Sequence, residues 1–79
     1  MISYLKSYKD EKSFNLLRRL GFPVFEIKDV EAVDNKIKEL KESNFSTIVI
    51  TNELAGFSQD IIKKYQKEKN FNIIIARAK

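Results

Sequence analysis

The chain has 79 residues, with 15 Lys or Arg against 11 Asp or Glu, and it contains no His, Cys or Trp. This length predicts one domain, residues 1–79, with a single modest core. The missing His and Cys remove the commonest zinc ligands, imidazole bases, nucleophilic thiols and disulfides, which argues against most metal and hydrolytic chemistry. Because the chain lacks both a signal peptide and an apolar run of about 20 residues, we expect a cytoplasmic protein.

The net charge of +4 comes from charges of both signs that are interspersed along the chain. The nearest approach to a basic block is a lysine-rich stretch interrupted by Glu68, made of Lys63, Lys64, Lys67 and Lys69. A solvated helix face is favoured there over a surface that tracks phosphates. We therefore expect no nucleic-acid partner, and weak RNA binding is the least favoured alternative.

The first third of the chain predicts a strand, a helix and a second strand. Residues 2–5 permit a short strand, and residues 23–27 are rich in β-branched and aromatic side chains. Between them, apolar side chains at helical spacing predict a helix over residues 10–20, with Phe14, Leu17 and Leu20 facing inward. Asp10 or Ser13 is the expected N-cap of this helix, and Gly21 is expected to end it.

The middle of the chain contains the clearest helix. Asp29 is a good N-cap, and apolar residues then step by three or four, at Val30, Val33, Ile37 and Leu40. Asn44 tolerates the left-handed conformation of a helix end. Residues 46–51 follow as a strand whose consecutive apolar side chains predict a central position with both faces covered.

The last third predicts one more helix and strand. Residues 52–56 indicate a turn, and Ser58 is the expected cap of a helix that buries Ile61, Ile62 and Tyr65. Residues 71–76 predict the final strand. The order βαβαβαβ implies a four-stranded parallel sheet flanked by three helices, a Rossmann-like or receiver-like α/β domain, with expected strand order 2-1-3-4.

Ligand sites in such sheets lie at the carboxyl ends of the strands. The polar residues expected there are Ser7, Asp10, Asp29, Thr51, Asn52 and Glu53. The alternative hypothesis is that this set imitates the acidic Mg²⁺ site of a receiver-like signalling or adaptor domain. Helix capping explains the aspartates better, because no aspartate ends the third predicted strand. With only two glycines and no phosphate loop, we expect no bound cofactor and no enzymatic activity.

A small domain without a catalytic cluster points toward a partner-binding module, and a family resemblance agrees. The run from Ile48 to Ala55, the segment from Ile61 to Tyr65 and the strand around Ile74 resemble the F-subunit of the V-type and archaeal-type (A-type) rotary ATPases. Upstream, Leu17-Arg18-Arg19-Leu20-Gly21-Phe22 is similar to that family's aromatic-Arg-Leu-x-Gly stretch. The order of elements agrees over nearly the whole chain.

The sequence departs from the family at three loops. Lys6 to Lys9 replaces the family's Gly-Asp turn, Asn52 stands where the family has Glu, and Ala76-Arg77 replaces an Ile-Pro ending. The family's C-terminal helical segment has no counterpart in the sequence, so its regulatory role is not carried over.

The resemblance implies a non-catalytic rotor subunit of the central stalk, peripheral to the membrane through the ATPase. Its partner would be the D-subunit, the coiled-coil subunit of that stalk, with other stalk or head subunits as further candidates. It would help couple ATP hydrolysis or synthesis to ion transport. The expected partner-binding residues are Arg18, Arg19, Phe22 and Phe57, because charge and exposed aromatic side chains suit a stalk surface.

Overall fold

In the computed structural model, which describes residues 1–77, four strands alternate with helices. The strands are β1 (Ile2–Ser7), β2 (Val24–Ile27), β3 (Thr47–Thr51) and β4 (Asn72–Ala76). The helices are α1 (Asn15–Arg19), α2 (Val33–Glu42), α3 (Asn52–Ala55) and α4 (Gln59–Gln66), and a 3₁₀ turn (Val30–Ala32) precedes α2. None of the described helices combines the length and apolar character needed to cross a membrane.

The strands form one parallel sheet in the order β2-β1-β3-β4. In its register Leu5 pairs with both Phe25 and Ile50, and Ile50 pairs with Ile75. The predicted α/β class, the parallel sheet and the strand order are thus confirmed. β3 lies inside the sheet as expected, and β2 and β4 form its edges.

The two faces of the sheet are unequally covered. Side chains alternate between faces along each strand, and the register assigns every apolar core residue of the strands to one face, which we call the covered face. These residues are Leu5, Ile27, Ile48, Ile50 and Ile73. They form one cluster with apolar side chains of the helices, among them Val33, Ile37, Leu40, Ile61, Ile62 and Tyr65.

The opposite face, which we call the open face, holds Ile2, Tyr4 and Lys6 of β1 together with the side chains in register with them. Val49 is only half-buried there and Ile74 is exposed. The prediction that β3 is covered on both faces is therefore wrong for Val49. The connection from β1 to β2 steps toward one edge of the sheet, whereas those from β2 to β3 and from β3 to β4 step toward the other edge. Because crossovers are right-handed, α1 lies on the open face and the other helices lie on the covered face.

The first helix is shorter than predicted. Phe14 adopts a left-handed backbone with φ 63°, which no α-helix can include, so α1 begins only at Asn15. Asp10 instead closes a turn: its Oδ1 accepts the backbone N–H groups of Lys12 and Ser13 at 3.0 and 2.9 Å. Leu20, expected to face inward, is 66% exposed.

The helix ends follow the sequence more closely. Gly21 and Asn44 have φ values of 90° and 69°, as expected for left-handed helix ends. The 52–56 turn contains the single-turn helix α3, capped by Thr51. Ser58 occupies the N-cap position of α4 without a side-chain cap, because its hydroxyl donates to the Asp34 carboxylate instead.

The asymmetry of the sheet predicts unequal costs for the same substitution. Ile48→Val, at a fully buried position, should lower the free energy of unfolding by about 0.5–1.5 kcal/mol. Ile74→Val, at a position 52% exposed, should change it by less than about 0.5 kcal/mol. Urea unfolding followed by circular dichroism measures both, and equal costs would contradict a single buried face.

Candidate functional site

The open face carries an unusual share of the exposed apolar side chains. Helix α1 has no buried residue, and Leu16 and Leu20 are 68% and 66% exposed. Ile2 and Phe22 are also exposed, as is Ile74 on β4. A five-residue helix is too short to cover four strands, so apolar surface remains available for contact.

A groove of about 370 Å³ marks the end of the open face where the strands begin. Its lining is Met1, Ile2, Leu20, Gly21, Phe22 and Pro23. Tyr4 supports this region, because its ring lies 6.1 Å from the ring of Phe22 in an edge-on arrangement and 5.1 Å from that of Phe14. The aromatic pairs hold Phe22 in place while leaving part of its ring exposed.

Three of the four expected partner-binding residues belong to this region. Arg18 and Arg19 lie in the last turn of α1, and an Arg18 nitrogen lies 3.4 Å from an oxygen of Glu26 on the open face. Phe22 follows within the same connection. Phe57 is 56% exposed but lies beyond the opposite ends of the strands, in a polar hollow beside Asp34. The structure therefore does not join Phe57 to the other three residues.

The polar residues at the carboxyl ends of the strands mostly serve the local backbone. Asp29 Oδ1 accepts the N–H of Glu31 at 3.0 Å, and Thr51 Oγ1 accepts that of Leu54 at 3.4 Å. Asp10 accepts the N–H groups of Lys12 and Ser13 within its own turn. Within residues 1–77, no three acidic side chains come together in a group able to hold a metal ion. The Mg²⁺ site of a receiver-like domain therefore stays a prediction, and the described residues do not form a set of metal ligands for it.

Sequence reasoning missed one charged residue at this end of the sheet. Lys6 is only 1% exposed, and its Nζ donates to the carbonyl oxygen of Ser13 at 3.0 Å and to Asn15 Oδ1 at 3.5 Å. A buried ammonium needs such partners because it has lost its water. Lys6 thereby ties the segment before α1 to the central strand β1. The sequence contains one signal for this residue: Lys6 follows the apolar Leu5 in a strand, so its side chain lies on the other face of the sheet. That pattern does not predict that Lys6 is buried.

The pKa of Asp10 lies below its ordinary value in the folded protein. The hydrogen bond from the Ser13 side chain lowers the pKa of Asp10 most, helped by the N–H groups of Ser13 and Lys12 and by the charge of Lys6, against a smaller opposing effect of burial. These donors favour the charged carboxylate. Asp10 and Lys6 therefore both bind the backbone of Ser13, in the loop before α1.

Comparisons with known protein families, with curated proteins and with solved structures find no match to this chain. The fold and the open face accordingly define the molecule only as a small parallel α/β domain.

Replacing Lys6 should loosen the segment that it anchors. We expect Lys6→Ala to lower the free energy of unfolding by about 1–3 kcal/mol, because the Ser13 carbonyl loses a charged donor. Lys9→Ala removes the same charge from an exposed position nearby and should cost less than about 0.5 kcal/mol. Equal losses in urea unfolding would show that Lys6 anchors nothing.

The lowered pKa of Asp10 predicts a specific pH dependence. The unfolded state binds a proton more readily than the folded state, so the contribution of Asp10 is fully present above about pH 4 and is lost as the pH falls through the lower folded pKa. Asp10→Asn should thus be less stable than the parent at pH 7, and the difference should shrink below pH 4. Thermal unfolding of both proteins between pH 2 and 7 tests this, with Glu11→Gln as control; a gap independent of pH would contradict it.

Proposed function

We propose that this protein is a non-catalytic, partner-binding subunit that acts in the central stalk of a rotary ATPase. In this role its open face binds the coiled-coil subunit of the stalk, and the domain helps couple ATP hydrolysis or synthesis to ion transport. The single observation that carries the proposal is the unequal covering of the sheet, which leaves apolar side chains exposed around α1.

The chemistry of the open face suits a helical partner. A coiled coil presents apolar and charged side chains in parallel rows along its length. Here Leu20, Phe22 and Ile2 provide apolar contacts beside the groove, and Arg18 and Arg19 supply positive charge next to them. An interface with an apolar centre and a charged rim follows the usual composition of protein contacts.

Rotor function also requires a stiff body, and the covered face supplies it. Its core residues come from all four strands and from helices that follow different strands, so the described elements share one packed cluster. The order of elements and the Ile48 to Ala55 segment are features on which the resemblance to the rotary-ATPase family rests. They support the coiled-coil stalk subunit as the partner rather than another helix.

The direct test is co-expression with the coiled-coil stalk subunit of the same organism's rotary ATPase, followed by size-exclusion chromatography with mass determination. We expect a stable one-to-one complex. Leu20→Glu and the double variant Arg18→Glu/Arg19→Glu should weaken it at least tenfold, because they place acidic charge on the open face. The Arg18–Glu26 pair is exposed, so its loss should leave folding intact.

The matched control is Lys63→Glu/Lys64→Glu, which reverses two exposed charges on α4, on the other side of the sheet. This variant should bind the coiled-coil stalk subunit as the parent does. A chain that ignores this partner altogether would overturn the rotor proposal, and equal weakening by both double variants would place the contact elsewhere.

A further inference from the structure

We propose that β4 is a dimerisation edge: two copies of this chain pair their β4 strands antiparallel and form one continuous sheet of eight strands. The inference goes beyond the proposed function and does not depend on it, because it uses the outer edge of β4 rather than the groove beside α1.

The two edges of the sheet differ in their protection. β2 contains the exposed Glu26 within the strand, and a charged side chain on an edge strand is a feature that blocks edge pairing. β4 has the sequence Asn-Ile-Ile-Ile-Ala, without proline or charge. In the described part of the chain no strand pairs with its outer side.

The backbone of β4 presents free groups at regular positions. Asn72 donates its N–H to the carbonyl of Ser46 at 2.9 Å, so the backbone groups of Asn72 point toward β3. In a parallel ladder both backbone groups of a residue point to the same side and the side alternates. The backbone groups of Ile74 and Ala76 therefore also point toward β3, and the N–H and C=O groups of Ile73 and Ile75 point away from the sheet.

These outward groups match those of a second copy when the two-fold axis passes beside Ile74, perpendicular to the sheet. Ile73 of each chain then lies opposite Ile75 of the other, and each pair exchanges two hydrogen bonds, as in an antiparallel ladder. Ile74 faces its own counterpart in the closely spaced, non-hydrogen-bonded position. The strand is self-complementary in both its hydrogen bonds and its apolar side chains.

The side chains explain why a second copy is the preferred occupant. Ile74 is 52% exposed and Ile75 is 40% exposed, on opposite faces of the same strand. Pairing with a copy covers both at once, because a perpendicular two-fold axis joins like faces. The groove of about 460 Å³ between Ile75 and α4 leaves room at this edge for the second chain. Since β2 is protected, assembly stops at two copies instead of growing into a filament.

Sedimentation velocity or light scattering over a concentration series up to about 1 mM tests the proposal, because this range detects dissociation constants as weak as about 1 mM. We expect a species of twice the 9.3 kDa of one chain. Ile75→Pro is the decisive variant: the N–H that it removes points outward, so the monomer loses no hydrogen bond, whereas the dimer loses two. Its dissociation constant should rise at least tenfold.

Ile74→Lys supplies a second variant, because it places two ammonium groups opposite each other at the axis. Val30→Lys is the control, since Val30 is 41% exposed and lies in the turn before α2, away from β4. The control should dimerise as the parent does, and circular dichroism should show all three variants folded. A chain that stays monomeric up to about 1 mM, or a dimer that Ile75→Pro leaves unchanged, would overturn the proposal.

Discussion

The burial of one face of the sheet is the interaction on which the rest of this molecule depends. Side chains alternate along a strand, so Leu5, Ile48 and Ile50 all point to the face that α2 and α4 cover, where they are fully buried. On the opposite face lies α1, which has five residues and no buried side chain. The core is therefore one layer thick, and the second face becomes surface.

Covering one face of the sheet more fully than the other leaves apolar side chains exposed. The apolar side chains that one more helix would cover remain exposed around α1 and on β4, and they are available to another polypeptide. The charged residues beside them give such a contact orientation more than strength. The groove beside α1 and the edge of β4 lie at different places in the fold, so the proposed contacts with a helical partner and with a second copy are separate.

The polar residues at the other end of the sheet belong to the fold. Asp10, Asp29 and Thr51 each satisfy a backbone N–H group that a turn or helix start leaves without a partner. The ammonium of Lys6 is held by the segment that crosses above it. A carboxylate that caps a turn and a carboxylate that binds a metal look alike in a sequence, and the distances between them distinguish the two.

The sequence by itself determined the class of fold and the helix ends at Gly21 and Asn44, because periodicity, β-branched runs and such residues act locally. The strand order was predicted from the consecutive apolar residues of β3, which favour an inner strand. The sequence also placed Arg18, Arg19 and Phe22 close together, since they are neighbours in the chain. Only the tertiary structure decided that Phe57 lies apart from them, that Lys6 is buried and that Val49 and Ile74 face a poorly covered side. Those properties depend on which elements pack over each face, and a strand that is apolar at consecutive positions has the same pattern whether one face or both are covered.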